Sequence, residues 1–198
     1  QNHCYRADEM AMMIEMSKEF DYKITAFHHA VEAYKIADLL ADEGICGALW
    51  ADWWGFKHEA YDMVPANIAI VDQARGGKGC AIVHSDDEVG IQHLNQEAAK
   101  ALSAGLRAGY EISKARAIKW ITSNPAKAAG ILDQTGTIEI GKDADLVIWS
   151  KNPFSVYALA EYVFIDGAEA FVRGEKQTQP VTDFDLGIIN PSDERASL

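Results

Sequence analysis

Short apolar runs and longer amphipathic stretches take turns along the first two thirds of the chain. Residues 22–27 (YKITAF), 45–50 (ICGALW) and 80–83 (CAIV) are brief, apolar and partly β-branched, which predicts strands covered on both faces. Residues 8–20 space Met10, Met13 and Ile14 on one helical face. Residues 31–43 repeat that spacing through Val31, Tyr34, Ile36, Leu39 and Leu40 before a stop at Gly44. Residues 61–74 read as a third helix ending at Gly76-Gly77, and residues 95–106 and 112–122 as a long helical region. Strands and helices alternating at a spacing of about 30 residues predict βα units on a parallel sheet.

Past residue 130 the period changes. Residues 137–140, 144–149, 162–165 and 169–173 read as four short strands without helices between them, the last two joined by an Asp166-Gly167 turn. They predict a small β layer. Residues 182–198 are polar and read as a surface tail.

Composition narrows the class. The chain of 198 residues is 48% hydrophobic and 24% charged, enough for one sizeable core or one domain with an appendage. Its 18 basic and 30 acidic residues give a formal charge of −12, which repels phosphate backbones and argues against a nucleic-acid partner. No membrane span is present in the apolar pattern. Cys4, Cys46 and Cys80 are odd in number, widely spaced and without a CxxC, so buried free thiols are expected. The opening QNHCYRADEM has no Met and no apolar leader segment, and reads as part of something longer.

The chemistry collects where strands end. AIVHSDDEVGI, residues 81–91, passes from three apolar residues straight into His84-Ser85-Asp86-Asp87-Glu88. An acidic cluster of this kind ordinarily caps a helix or solvates a loop. At the C-terminal end of a buried parallel strand it also stands where an α/β enzyme keeps its reactive groups. His28 and His29 follow the 22–27 run in the same way.

NHCYRADE, FHHAVEAY, HSDDE, the T-x-N-P-A-K of residues 122–127, and GTIEIGKDADLVIW followed by VFIDG resemble the C-terminal part of the amidohydrolase superfamily, in the branch near imidazolonepropionases and Xaa-Pro dipeptidases. The resemblance implies an α/β fold: the C-terminal half of a TIM (β/α)8 barrel, strands 5 to 8, over residues 1–130, β-sandwich strands over 131–175, and a tail over 176–198. It implies metal ligands at His3, His29 and Asp86, with Asp86 also passing a proton, and places His28 and His84 as substrate contacts or supports of the ligands. The cofactor implied is a divalent metal, zinc above all, as one or two ions. Imidazole and carboxylate donors suit that ion.

The implied activity is hydrolysis of a C–N bond in a small-molecule amide, a cyclic amide or a dipeptide-like amide. Deamination of an aminated ring, or a catalytically silent assembly module, are the alternatives. The chain departs from the family pattern in having no His-x-His and no match to the strand 4 Lys or Glu. It is therefore expected to be inactive alone and to need a partner, either the missing N-terminal half or a second copy in a homo-oligomer. Asp87 and Glu88 are expected to cap the next helix, His93 and Glu97 to pair on a helix, and His58, Trp50, Trp53 and Trp54 to pack in the core or line a pocket.

Overall fold

The computed structural model describes residues 1–175, so the 182–198 tail expectation lies outside the described residues. Four short strands, β1 (Asn2–Cys4), β2 (Ala26–His29), β3 (Cys46–Leu49) and β4 (Cys80–Val83), form one sheet in chain order. All neighbours are parallel, with His3 opposite His28, His29 opposite Leu49 and Cys46 opposite Cys80. The connections carry α1 (Ala7–Glu19), α2 (Ala37–Glu43), α3 (Asn67–Gly77) and, after β4, α4 (Leu94–Arg107), α5 (Lys114–Ala117) and α6 (Ser123–Ala129).

The period-2 alternation of the strands separates two apolar layers. Phe27, Leu49, Ala81 and Val83 face Met10, Ile14, Leu40, Ile68, Val71 and Trp120 from the helices. Ala26, Cys46, Ala48, Cys80 and Ile82 form a second cluster on the other face, with Ala128. Gly79 lets α3 and β4 approach: a Cβ there would stand 1.7 Å from the Val71 carbonyl oxygen. Below the sheet, buried Asp72 accepts hydrogen bonds from Arg116 Nε and from Trp120 Nε1, the latter at 2.9 Å, which pairs its charge and binds α3 to the segment after α4.

Several elements differ from expectation. The 22–27 run forms strand only from Ala26, and that strand continues through both histidines. The 31–43 stretch begins as a 3-10 turn (Ala33–Ile36) before α2, and the helix sought from residue 61 begins at Asn67, beyond Pro65. Proline has no N–H to donate and disfavours helical backbone in the residue before it, so the helix starts past it. The 112–122 region is α5 followed by a 3-10 turn, Ile118–Ile121.

Residues 137–140 are not a strand. Ile138 and Ile140 are exposed, and Lys142 Nζ donates to the Leu132 carbonyl and Thr137 Oγ1, folding this segment back on itself instead of onto a partner. Three strands remain, β5 (Leu146–Trp149), β6 (Ala160–Ile165) and β7 (Ala168–Val172), paired antiparallel in that order. Asp145 explains part of the GKDAD motif. Its carboxylate accepts from Thr135 Oγ1 at 2.7 Å and from the Asp166 N–H at 3.0 Å, pinning the preceding loop to the β6–β7 turn.

The expectation of three free thiols is corrected. Cys46 and Cys80, opposite each other on β3 and β4, form a disulfide, and Cys4 alone is free and buried. Parallel register, which sequence spacing does not reveal, places the two sulfurs together. Closing a loop across a separation of 34 residues restricts the unfolded chain. A C46A/C80A double variant is expected to lose about 3–4 kcal/mol of stability in urea unfolding.

Candidate functional site

Parallel register puts the ends of β2, β3 and β4 side by side, and their last residues are His28, His29, Leu49 and Val83, followed by Trp50 and His84. The His84 N–H donates to the Leu49 carbonyl at 2.9 Å, which keeps the chain leaving β4 against β3. His29 Nδ1 comes within 3.4 Å of Asp86 Oδ2. One ligand atom from each of His29, His84 and Asp86 lies within 4.8 Å of the other two.

The backbone at this cluster is strained. His29 has φ 65°, Ala30 φ 39° and Asp86 φ 52°, all left-handed and none a glycine. The Ala30 N–H donates to the His28 carbonyl at 2.8 Å and the Cys4 carbonyl at 2.9 Å, so His29 stands at the centre of a γ-turn. Such conformations persist only where their surroundings impose them. Asn67 supplies much of that restraint: fully buried at the start of α3, its Nδ2 donates to the carbonyls of Ala30 and Val31 at 3.1 and 3.0 Å.

The imidazoles are poised as neutral donors. Burial, then the neighbouring His84, pushes the His29 ring down to about 4, against an opposing pull from Asp86. Burial likewise lowers His84 and His28. His29 Nδ1 and His84 Nε2 are buried without a hydrogen-bond partner among the described residues. Unpartnered buried nitrogens are rare because they forfeit their hydration. Two of them beside a carboxylate fit a divalent cation with bonds of about 2.0–2.2 Å.

His3 stands beside this group. Its ring lies 4.5 Å from that of His29 and 4.8 Å from Tyr5, but its ligand atoms are not among the three that converge. His84, expected as a substrate contact or a support of the ligands, is one of those three. His28 Nε2 lies 2.8 Å from Gln1 Oε1, with its ring 5.3 Å from His84. Asp87 accepts from the Gly90 N–H and so closes the loop before α4. The expected His93–Glu97 pair does not form: His93 stands at the N-cap position of α4 without a side-chain capping bond, while Glu97 meets Lys100 at 2.8 Å.

Aromatic side chains wall the cluster. Trp50, 2% exposed, lies 4.9 Å from the His29 ring and stacks 5.3 Å from Trp53, so both belong to the wall, whereas Trp54 is exposed. Tyr5 stacks 5.1 Å from His29. His58 borders a separate open surface pocket of about 650 Å³ with Arg6, Glu32 and Lys35. Asn67 and Tyr5 escaped the sequence reading. The signal for Asn67 was a lone amide at a helix start between apolar residues, VPANIAI.

The amidohydrolase family model matches residues 72–180. Amidohydrolase tasK of Hapsidospora irregularis is 33% identical over 196 residues, which cover 91% of this chain and 19% of that protein. An imidazolonepropionase of Brucella suis is 55% identical over 40 residues, 20% of this chain and 10% of its own length. The crystal structure of an amidohydrolase from Thermotoga maritima superposes with a TM-score of 0.76 at 33% identity, covering 86% of this chain and 43% of that one. The chain thus spans less than half the length of each of these proteins.

Two outcomes test the site as built. Because the folded His29 pKa lies below its ordinary value of 6.5, the unfolded state takes up the proton first. Stability of the metal-free protein is therefore full above pH 6.5 and falls as pH drops toward about 4. Urea unfolding across that range should show the slope, and His29→Gln should flatten it. Asn67→Ala should cost about 1–3 kcal/mol by removing the Nδ2 hydrogen bonds to the Ala30 and Val31 carbonyls. It should also weaken binding of a divalent cation about 10-fold or more, read by competition with a chromophoric chelator.

Proposed function

The chain belongs to the amidohydrolase family, and we propose that it supplies one half of a metal-dependent hydrolase that cleaves the C–N bond of a small amide, cyclic amide or dipeptide-like amide. The convergence of His29, His84 and Asp86, with two orphaned imidazole nitrogens, carries this reading. In it the four parallel strands are strands 5 to 8 of a (β/α)8 barrel and β5–β7 belong to a small β-sandwich. The span of 43% of the Thermotoga chain supports that division. The other half comes from the remainder of a longer protein or from a second copy.

His29, His84 and Asp86 would hold the ion, and His3, its ring 4.5 Å from that of His29, would complete the set. Zinc bound there would supply the positive charge that makes water nucleophilic at neutral pH. The chain's own contribution is positional. The γ-turn at His29 fixes one imidazole, and the β3–β4 register fixes the other. Trp50 and Tyr5 exclude water from one side. The half-exposed Asp86 carboxylate takes a proton from the attacking water. As the oxygen–carbon bond forms and the carbon–nitrogen bond breaks, it returns that proton to the leaving nitrogen.

Zinc affinity and turnover separate the roles. His84→Ala should weaken zinc binding more than His3→Ala, since His84 is the histidine whose ligand atom converges. In the longer protein, Asp86→Asn should lower amide turnover by at least about 10²-fold, and the chain alone should turn over no amide. Failure of the chain to bind zinc in any form, or near-normal turnover by the metal-loaded Asp86→Asn protein, would leave HSDDE a loop cap and favour an assembly role.

A further inference from the structure

The sheet holds one covalent pair that the hydrolysis does not use. Cys46 and Cys80 open β3 and β4 opposite each other, joined through their sulfurs, and they share a buried layer with Ala26, Ala48, Ile82 and Ala128. β3 is an interior strand flanked by β2 and β4, whereas β4 is an edge with no strand beyond it among the described residues. The disulfide therefore ties a fixed strand to a free one.

That free strand delivers two of the three converging groups. β4 ends at Val83, His84 and Asp86 follow, and the bond from the His84 N–H to the Leu49 carbonyl carries the β3–β4 ladder into the cluster. Four residues of strand separate Cys80 from His84, about 13 Å at the usual rise, so an offset at the sulfurs is carried to the ligands by one short, stiff segment. His29 does not share this dependence, because it lies on β2 and Asn67 braces the carbonyls after it. Asn124 Nδ2 donates to the Ala81 carbonyl at 2.7 Å, which holds β4 on α6 independently of β3.

Breaking the bond changes the space the two side chains need. Their Cα atoms are 4.5 Å apart, already inside the usual strand separation of about 4.7–4.9 Å. Two thiols cannot stay at bonding distance, since unbonded atoms rest about 3.5–4.0 Å apart. The neighbouring side chains are buried and close-packed, so the edge strand is the part that yields. We infer that Cys46 and Cys80 form a redox switch on the candidate cation site: the disulfide holds β4 where His84 and Asp86 meet His29, and the dithiol form lets them move away. This rests on the reading of that cluster as a cation site. The reductant is a dithiol. One of its thiolates attacks the Cys80 sulfur, the S–S bond breaks as a mixed disulfide forms, and Cys46 leaves as a thiolate that takes up a proton. The second thiolate of the reductant then displaces Cys80, which is protonated in turn, and closes the reductant's own disulfide, so two electrons pass to the protein.

The test compares the oxidised chain with the chain reduced by dithiothreitol and freed of it under anaerobic conditions. In the metal-free protein, hydrogen exchange followed by NMR should quicken about tenfold or more at the His84 amide while the Ala30 amide keeps its rate. Zinc affinity, read by competition with a chromophoric chelator, should fall at least about tenfold on reduction. By reciprocity, saturating zinc should lower the reduction potential of the pair by about 30 mV for each tenfold. The C46A/C80A variant should match the reduced chain and ignore dithiothreitol, and if it fails to fold, the reduced wild-type chain decides. A disulfide that the dithiol does not open in the folded chain, exchange that is unchanged at His84 or rises equally at Ala30, or equal zinc affinity in the two forms overturns the inference. The exchange difference without zinc binding in either form would sink the cation reading alone.

Discussion

The γ-turn at His29 is the constraint on which the site depends. A strand normally alternates its side chains, so His28 and His29 would point to opposite faces and only one could serve a cluster at the strand end. Positive φ at His29 and Ala30 breaks that alternation. The His29 ring then comes within 5.2 Å of His84 and its Nδ1 within 3.4 Å of Asp86. Holding an L-residue there costs about 1–3 kcal/mol. Hydrogen bonds from the Ala30 N–H and from Asn67 to the next two carbonyls offset it.

Burial then sets the electrostatics. In a protein of formal charge −12, carboxylates would stabilise protonated histidines at long range. Desolvation prevails at this cluster, lowering His28, His29 and His84 together despite Asp86. A neutral imidazole keeps a lone pair for a cation, which a protonated one has lost. The apolar wall of Trp50, Tyr5 and Trp53 therefore acts on ligand chemistry as well as on packing.

What could be read from the sequence depended on the range of the interaction. Apolar runs and helical spacing are local, so the βα alternation, the strand 80–83 ahead of HSDDE and the Asp166-Gly167 hairpin were legible. Cys46 and Cys80 meet only through register, so spacing alone left them as thiols. Residues 137–140 alternate like a strand but pair with no strand among the described residues, and their isoleucines stay exposed. His84 illustrates the same limit at the site. Motif likeness marked it as an accessory, whereas its proximity to His29 and Asp86 comes from the β3–β4 pairing and the turn at Asp86.

The middle and the margins of the candidate site are held differently. A β-strand exposes unpaired N–H and C=O groups along each free edge, and β1 and β4 are both edges here. His3 lies on one edge strand, while His84 and Asp86 follow the other. Completing the sheet would therefore fix the candidate ligands at both margins, while His29, on an interior strand and braced by Asn67, is already held. The disulfide acts in the same direction, since it ties β4 to β3 at the ends opposite the cluster. The buried middle of the site is thus set by this chain's own packing, whereas its margins lie on and beyond the two edge strands of the sheet.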